Sequence, residues 1–153
     1  MFQRHRSVGV PRFFIALVAV GVASAASGRQ ASMEFDGPGY RAQLPEGVTG
    51  TTEAKVDFDI TTFKKADGSV LLRSHVGLHP DFNAETSRQE RINGMPARKW
   101  TRTDADKKTC ADVLITMRGS EWGGPFFHFW YCLESDADVR QAESIIRSIR
   151  AEP

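Results

Sequence analysis

Apolar and polar residues alternate with period two along several stretches of the chain, the pattern of strands buried on one face. Tyr40, Ala42 and Leu44 alternate with Arg41 and Gln43 ahead of Pro45 and Gly47, which predicts a short opening strand over 39–47. Residues 54–60 alternate through Val56, Phe58 and Ile60. Asp67-Gly68 then signals a turn into a return strand over 70–78, completing a first hairpin. The stretch 79–96 is the least regular, and 84–91 reads as two helical turns ended by Asn93-Gly94. Strand character returns over 98–103, 109–118 and 126–133, separated by turns at 104–108 and 119–125. Three consecutive strands with short turns make an antiparallel meander.

The last segment changes period. Val139, Ala142, Ile145, Ile146 and Ile149 recur at helical spacing and create one apolar face. Ser135, followed three residues later by Asp138, predicts a capping-box start. Asp136 stands four residues ahead of Arg140, and Glu143 four ahead of Arg147, both in the favourable acid-first order. The expected fold is therefore α+β: an antiparallel sheet of hairpins and meander over 39–151, packed by a C-terminal helix.

The meander pattern also selects a register. A turn centred on Glu121 sets Cys110 opposite Cys132, Ala111 opposite Tyr131, Val113 opposite Phe129 and Ile115 opposite Phe127. Facing residues on antiparallel strands lie within disulfide reach, so the cysteine pair and the apolar face choose the same alignment. The expected bridge closes a loop of about twenty residues, nominally worth roughly 3 kcal/mol and less where the hairpin already holds its ends together. The opposite face then gathers Trp100, Asp112 and Trp130 in one row, with Leu114, His128, Arg98 and Arg102 beside them. Such a face suits a binding platform. The plainer expectation is that the terminal helix covers it, or that its aromatics form a second small core.

The first 25 residues do not fit the domain pattern. Arg4, Arg6 and Arg12 precede and open an apolar run over 13–22, and Ala23-Ser24-Ala25 places small residues where a signal peptidase reads. The segment is read as a secretory signal peptide cut after Ala25, followed by a flexible stretch over 26–38. Its apolar run is shorter than the roughly twenty residues of a membrane span, so no stable membrane insertion is expected after cleavage. Without its three arginines, the formal charge falls from +1 to −2. A mixed, slightly acidic surface argues against nucleic acid, which favours a basic stripe. Two cysteines in an exported chain point to a disulfide in an oxidising compartment, periplasmic or extracellular.

Chemistry is sparse. His75 and His79 are four apart, but on an extended strand that is roughly 13 Å, too far to share a metal; no metal or other cofactor is expected. His128 has the makings of a general base oriented by Asp112 or Glu134, as in a small hydrolase. Its nucleophile would have to come from Ser74, Ser120 or a nearby threonine, and none sits in a nucleophile signature. Trp122, flanked by turn glycines, and Phe82, in the loop after Pro80, are candidate docking aromatics.

Three segments carry a family resemblance: 40–47 with its proline-glycine ending, Ile92-Asn93-Gly94-Met95-Pro96-Ala97, and the helical 142–149. The layout resembles the PsbP/DcrB-like family of small exported α/β domains. That resemblance implies an antiparallel sheet packed by helices and a role in binding. The family includes photosystem-assembly subunits, envelope lipoproteins and immunity proteins that neutralise secreted toxins. The leading expectation is a non-catalytic protein-binding domain of the bacterial envelope, including the immunity type. The alternatives are the His128 hydrolase and a structural envelope component.

Overall fold

The computed structural model describes residues 32–78, 82, 86–117 and 125–152. The segment read as a signal peptide, His79, Ser120 and Trp122 lie outside the described residues. Strands β1 (Ser32–Gly37) and β2 (Tyr40–Pro45) pair antiparallel, and β10 (Arg150–Ala151) takes the other edge of β2. A larger sheet contains β3 (Thr49–Ala54), β4 (Phe58–Lys64), β5 (Val70–Gly77), β6 (Arg88–Ile92), β7 (Met95–Thr103), β8 (Thr109–Thr116) and β9 (Phe126–Leu133). Its spatial order is β3-β4-β5-β9-β8-β7-β6, antiparallel throughout. The helix α1 spans Asp136–Ser148.

The meander register is as the pattern predicts. Cys110 faces Cys132 and is bonded to it, Val113 faces Phe129, Ile115 faces Phe127, and Asp112 faces both Trp100 and Trp130. The α+β assignment holds, although two hairpins and a meander understate a seven-stranded sheet beside a three-stranded one.

Helix α1 lays Ala142, Ile145 and Ile146 onto the face that carries Val113, Ile115, Phe127 and Phe129, and all are almost fully buried. Each isoleucine gains about 2–3 kcal/mol from that burial. The smaller sheet supplies Tyr40, Ala42 and Leu44 to the same core. The rings of Phe127 and Phe129 meet Tyr40 edge-on, 5.5 and 5.4 Å away. Glycine makes the remaining contact possible: an added Cβ at Gly50 would lie 2.5 Å from the Phe35 ring. That gap lets β1 lean on β3.

Four expectations are corrected. Ser32–Gly37 is a strand, because β2 offers it a full backbone partner, so the ordered body begins ahead of residue 39. The strand read over 54–60 is two strands broken at 55–57, which leaves Val56 99% exposed. Their signal is β-branched threonine rather than apolar alternation: Thr61 is buried and its hydroxyl lies 2.9 Å from that of Thr52. The helical reading of 84–91 fails over Arg88–Ile92, which pairs with β7 through the tight turn at Asn93 and Gly94, both with positive φ. Finally, only half of the capping box forms. Ser135 Oγ accepts from the backbone of Ala137 and Asp138, while the Asp138 carboxylate turns to Lys65 at 3.0 Å.

Among the described residues, no helix is long and apolar enough to cross a membrane.

Candidate functional site

Strand alternation sends odd and even residues to opposite faces, and α1 occupies only one of them. The other face carries His75 on β5, His128 and Trp130 on β9, and Asp112 on β8. It is not covered by the helix, contrary to the plainer expectation. A groove of about 1040 Å³ lies along it, lined by Asp57, Phe58, Ile60, His75, Leu78, Asp112, His128 and Trp130. The volume is at the upper end for ligand clefts.

His128 forms the polar centre. It faces Leu114 on one side and His75 on the other, and its Nε2 lies 2.9 Å from Asp112 Oδ1. The residue is only 6% exposed, while the Asp112 side chain remains 27% exposed. Its ring packs at 5.2 Å from Trp130 and at 5.9 Å, edge to face, from Phe82. His75 rests edge-on against Phe58 at 4.9 Å. Burial, and then the neighbouring His128, push the pKa of His75 below that of an ordinary histidine, favouring its neutral form. Room for this pair comes from Gly77, where a Cβ would lie 2.8 Å from Phe58 Cβ and 2.9 Å from His75 Nε2.

The sequence-predicted residues separate clearly. His128, Asp112, Trp130 and Phe82 come together at the groove. Trp100 flanks it on β7, opposite Asp112, with the Arg102 guanidinium 5.3 Å from its ring centre. Glu134 is not the partner of His128: it lies past the far end of β9 and pairs with Lys108 at 3.4 Å. Ser74 points into the core, buried, with its hydroxyl 3.0 Å from that of Tyr40. It is therefore on the wrong side of the sheet to serve His128. Cys110 and Cys132 are bonded one same-face pair beyond Asp112 and Trp130, outside the groove lining and beside the Asp104 turn.

Phe58, Ile60, His75 and Leu78 were not predicted as groove residues. The alternation of Phe58 and Ile60 was legible, but nothing local announces that β5 lies against β9, a strand some fifty residues away. The arrangement can grip an apolar body between Phe58, Leu78 and Trp130, present a carboxylate to it, and hold an imidazole in one orientation through Asp112. Neither a protein-family model nor a curated protein matches the chain.

Proposed function

We propose that this protein is an exported, non-catalytic binding domain that docks a protein partner on the bare sheet face opposite α1. The observation that carries the reading is that face itself: a wide groove with aromatic walls, left open by the only helix among the described residues. Exposed Phe58 and Leu78 both line it. Trp130 inside it is the residue type most enriched among binding hot spots. The signal-like pattern of the first 25 residues and the disulfide support an oxidising compartment, periplasmic or extracellular, as its location. The PsbP/DcrB-like resemblance adds the immunity type, an inhibitor of a secreted toxin or enzyme, as the favoured partner relationship.

The test has two parts. Expression of the full chain should release a protein whose mass corresponds to cleavage after Ala25. The oxidised mature protein should bind a partner from envelope or secreted fractions saturably and at fixed stoichiometry. Trp130→Ala should weaken that complex by ~2 kcal/mol or more. A complex indifferent to Trp130 would remove the groove from the model, and no saturable partner would favour a structural envelope role.

A second reading rests on the 2.9 Å contact between His128 and Asp112 inside an open groove. It is the orienting half of a hydrolase dyad, with water as the nucleophile in place of Ser74. Turnover of a small activated ester that disappears in His128→Ala would support it; identical background rates would end it.

A further inference from the structure

We infer that the groove recognises a lysine side chain flanked by apolar residues, presented by a short extended segment of the partner protein. This rests on the reading of the bare face as the docking surface and gives that surface a chemistry.

Charge complementarity argues for it. The described groove lining contains two carboxylates, Asp57 and Asp112, and no lysine or arginine. Its remaining ionisable groups are His75 and His128, and the surroundings of His75 favour its uncharged form. The arginines that share this face stand outside that lining: Arg73 opposite Trp130, Arg98 opposite Leu114, and Arg102 stacked on Trp100. Asp112 gives one oxygen to His128, and a carboxylate accepts roughly four hydrogen bonds in all, so acceptor capacity remains for an ammonium. Its partial exposure leaves that capacity reachable from the groove. Trp130, which faces Asp112 directly across the β8–β9 pair, offers a ring for a cation to rest on.

Apolar contacts set the rest of the ligand. Ile60 and Phe58 line the β4 side and Leu78 the β5 end, surfaces on which the methylene stem of a lysine and its apolar neighbours can lie. The volume exceeds what one side chain fills, which is why the occupant is a segment and not a free amine.

The experiment uses the oxidised mature protein and three acetylated, amidated peptides: Leu-Lys-Leu, its norleucine counterpart and its glutamate counterpart. Binding is followed by tryptophan fluorescence and calorimetry. The lysine peptide should bind about tenfold more tightly than the norleucine peptide at low salt, and the glutamate peptide more weakly than either. The preference should shrink in 0.5 M salt and vanish in Asp112→Asn, with unchanged circular dichroism. Asp57→Asn, at the exposed rim, should keep most of it. Equal binding of the lysine and norleucine peptides, a preference for glutamate, a lysine preference that survives Asp112→Asn, or no binding up to millimolar peptide would each overturn the inference. The docking reading is judged separately: if the captured partner still depends on Trp130 while the lysine peptide shows no advantage, only the ligand chemistry is wrong.

Discussion

Replacing Glu143 by leucine should cost more than any other single surface-to-core change on α1. Glu143 Oε1 receives two donors from the sheet beneath it: the Lys99 ammonium at 2.5 Å and the Tyr131 hydroxyl at 2.6 Å. The Lys99 and Glu143 side chains are only 11% and 18% exposed, so this is a largely desolvated pair linking α1 to β7 and β9. Sequence spacing assigns Glu143 to Arg147, but the folded chain uses it across the helix–sheet interface. Removing one member of a buried pair costs about 3–5 kcal/mol, because the other charge stays behind without a partner. The residual exposure lets water reach Lys99, which places the expectation at about 3 kcal/mol for Glu143→Leu. For a body of this size that is a fall of roughly 12 °C in Tm. Urea denaturation at neutral pH measures it directly, with the slope unchanged if the folded state remains compact. A second variant isolates the cause: Glu143→Leu combined with Lys99→Met and Tyr131→Phe removes both orphaned groups and should recover most of the loss. A loss below ~0.5 kcal/mol for the single change would refute the reasoning, as would a triple variant no more stable than the single one.

Gly77→Ala should destabilise by about 1–3 kcal/mol through overpacking against Phe58 and the displaced His75 ring; an unchanged denaturation midpoint would show that the two rings yield freely. At acid pH, His75 is the group to watch. Its folded pKa lies below the ordinary 6.5, so the unfolded chain binds more protons, and stability present above about pH 6.5 is lost as pH falls through the folded value. His75→Gln should flatten the decline between pH 7 and 5, and an unaltered pH profile would remove His75 as its source. At the alkaline end, Tyr40 is raised chiefly by burial, and Tyr131 by burial and then by its bond to the Glu143 carboxylate. Their contribution is complete below about pH 10 and is lost as pH rises toward the folded values. Tyr131→Phe should make alkaline unfolding shallower; equal steepness would show that other groups drive it.

Much of the scaffold was legible because it rests on short-range regularities. Period-two alternation identified β2, β8 and β9, and the 3.6-residue period identified α1. The pairing of Cys110 with Cys132 followed from two patterns that demanded one register. Strands β1, β3 and β6 escaped because edge strands with few apolar residues carry little periodic signal. Their backbone partners, not their side chains, decide that they are extended.

The site divided along the same line. The sequence by itself determined which residues share a strand face, so Trp100, Asp112, His128 and Trp130 were already in company. It could not determine which face α1 would cover, because both faces of the meander carry large apolar side chains. Tertiary structure decided that through Tyr40, Ala42 and Leu44: the smaller sheet joins α1 over Phe127 and Phe129 and completes one core on that side. It also set β5 against β9, bringing His75 to His128 and creating the groove. Local pattern reports which way a side chain points from its own backbone. What lies opposite depends on closing loops of fifty residues, whose entropy only the finished core can offset.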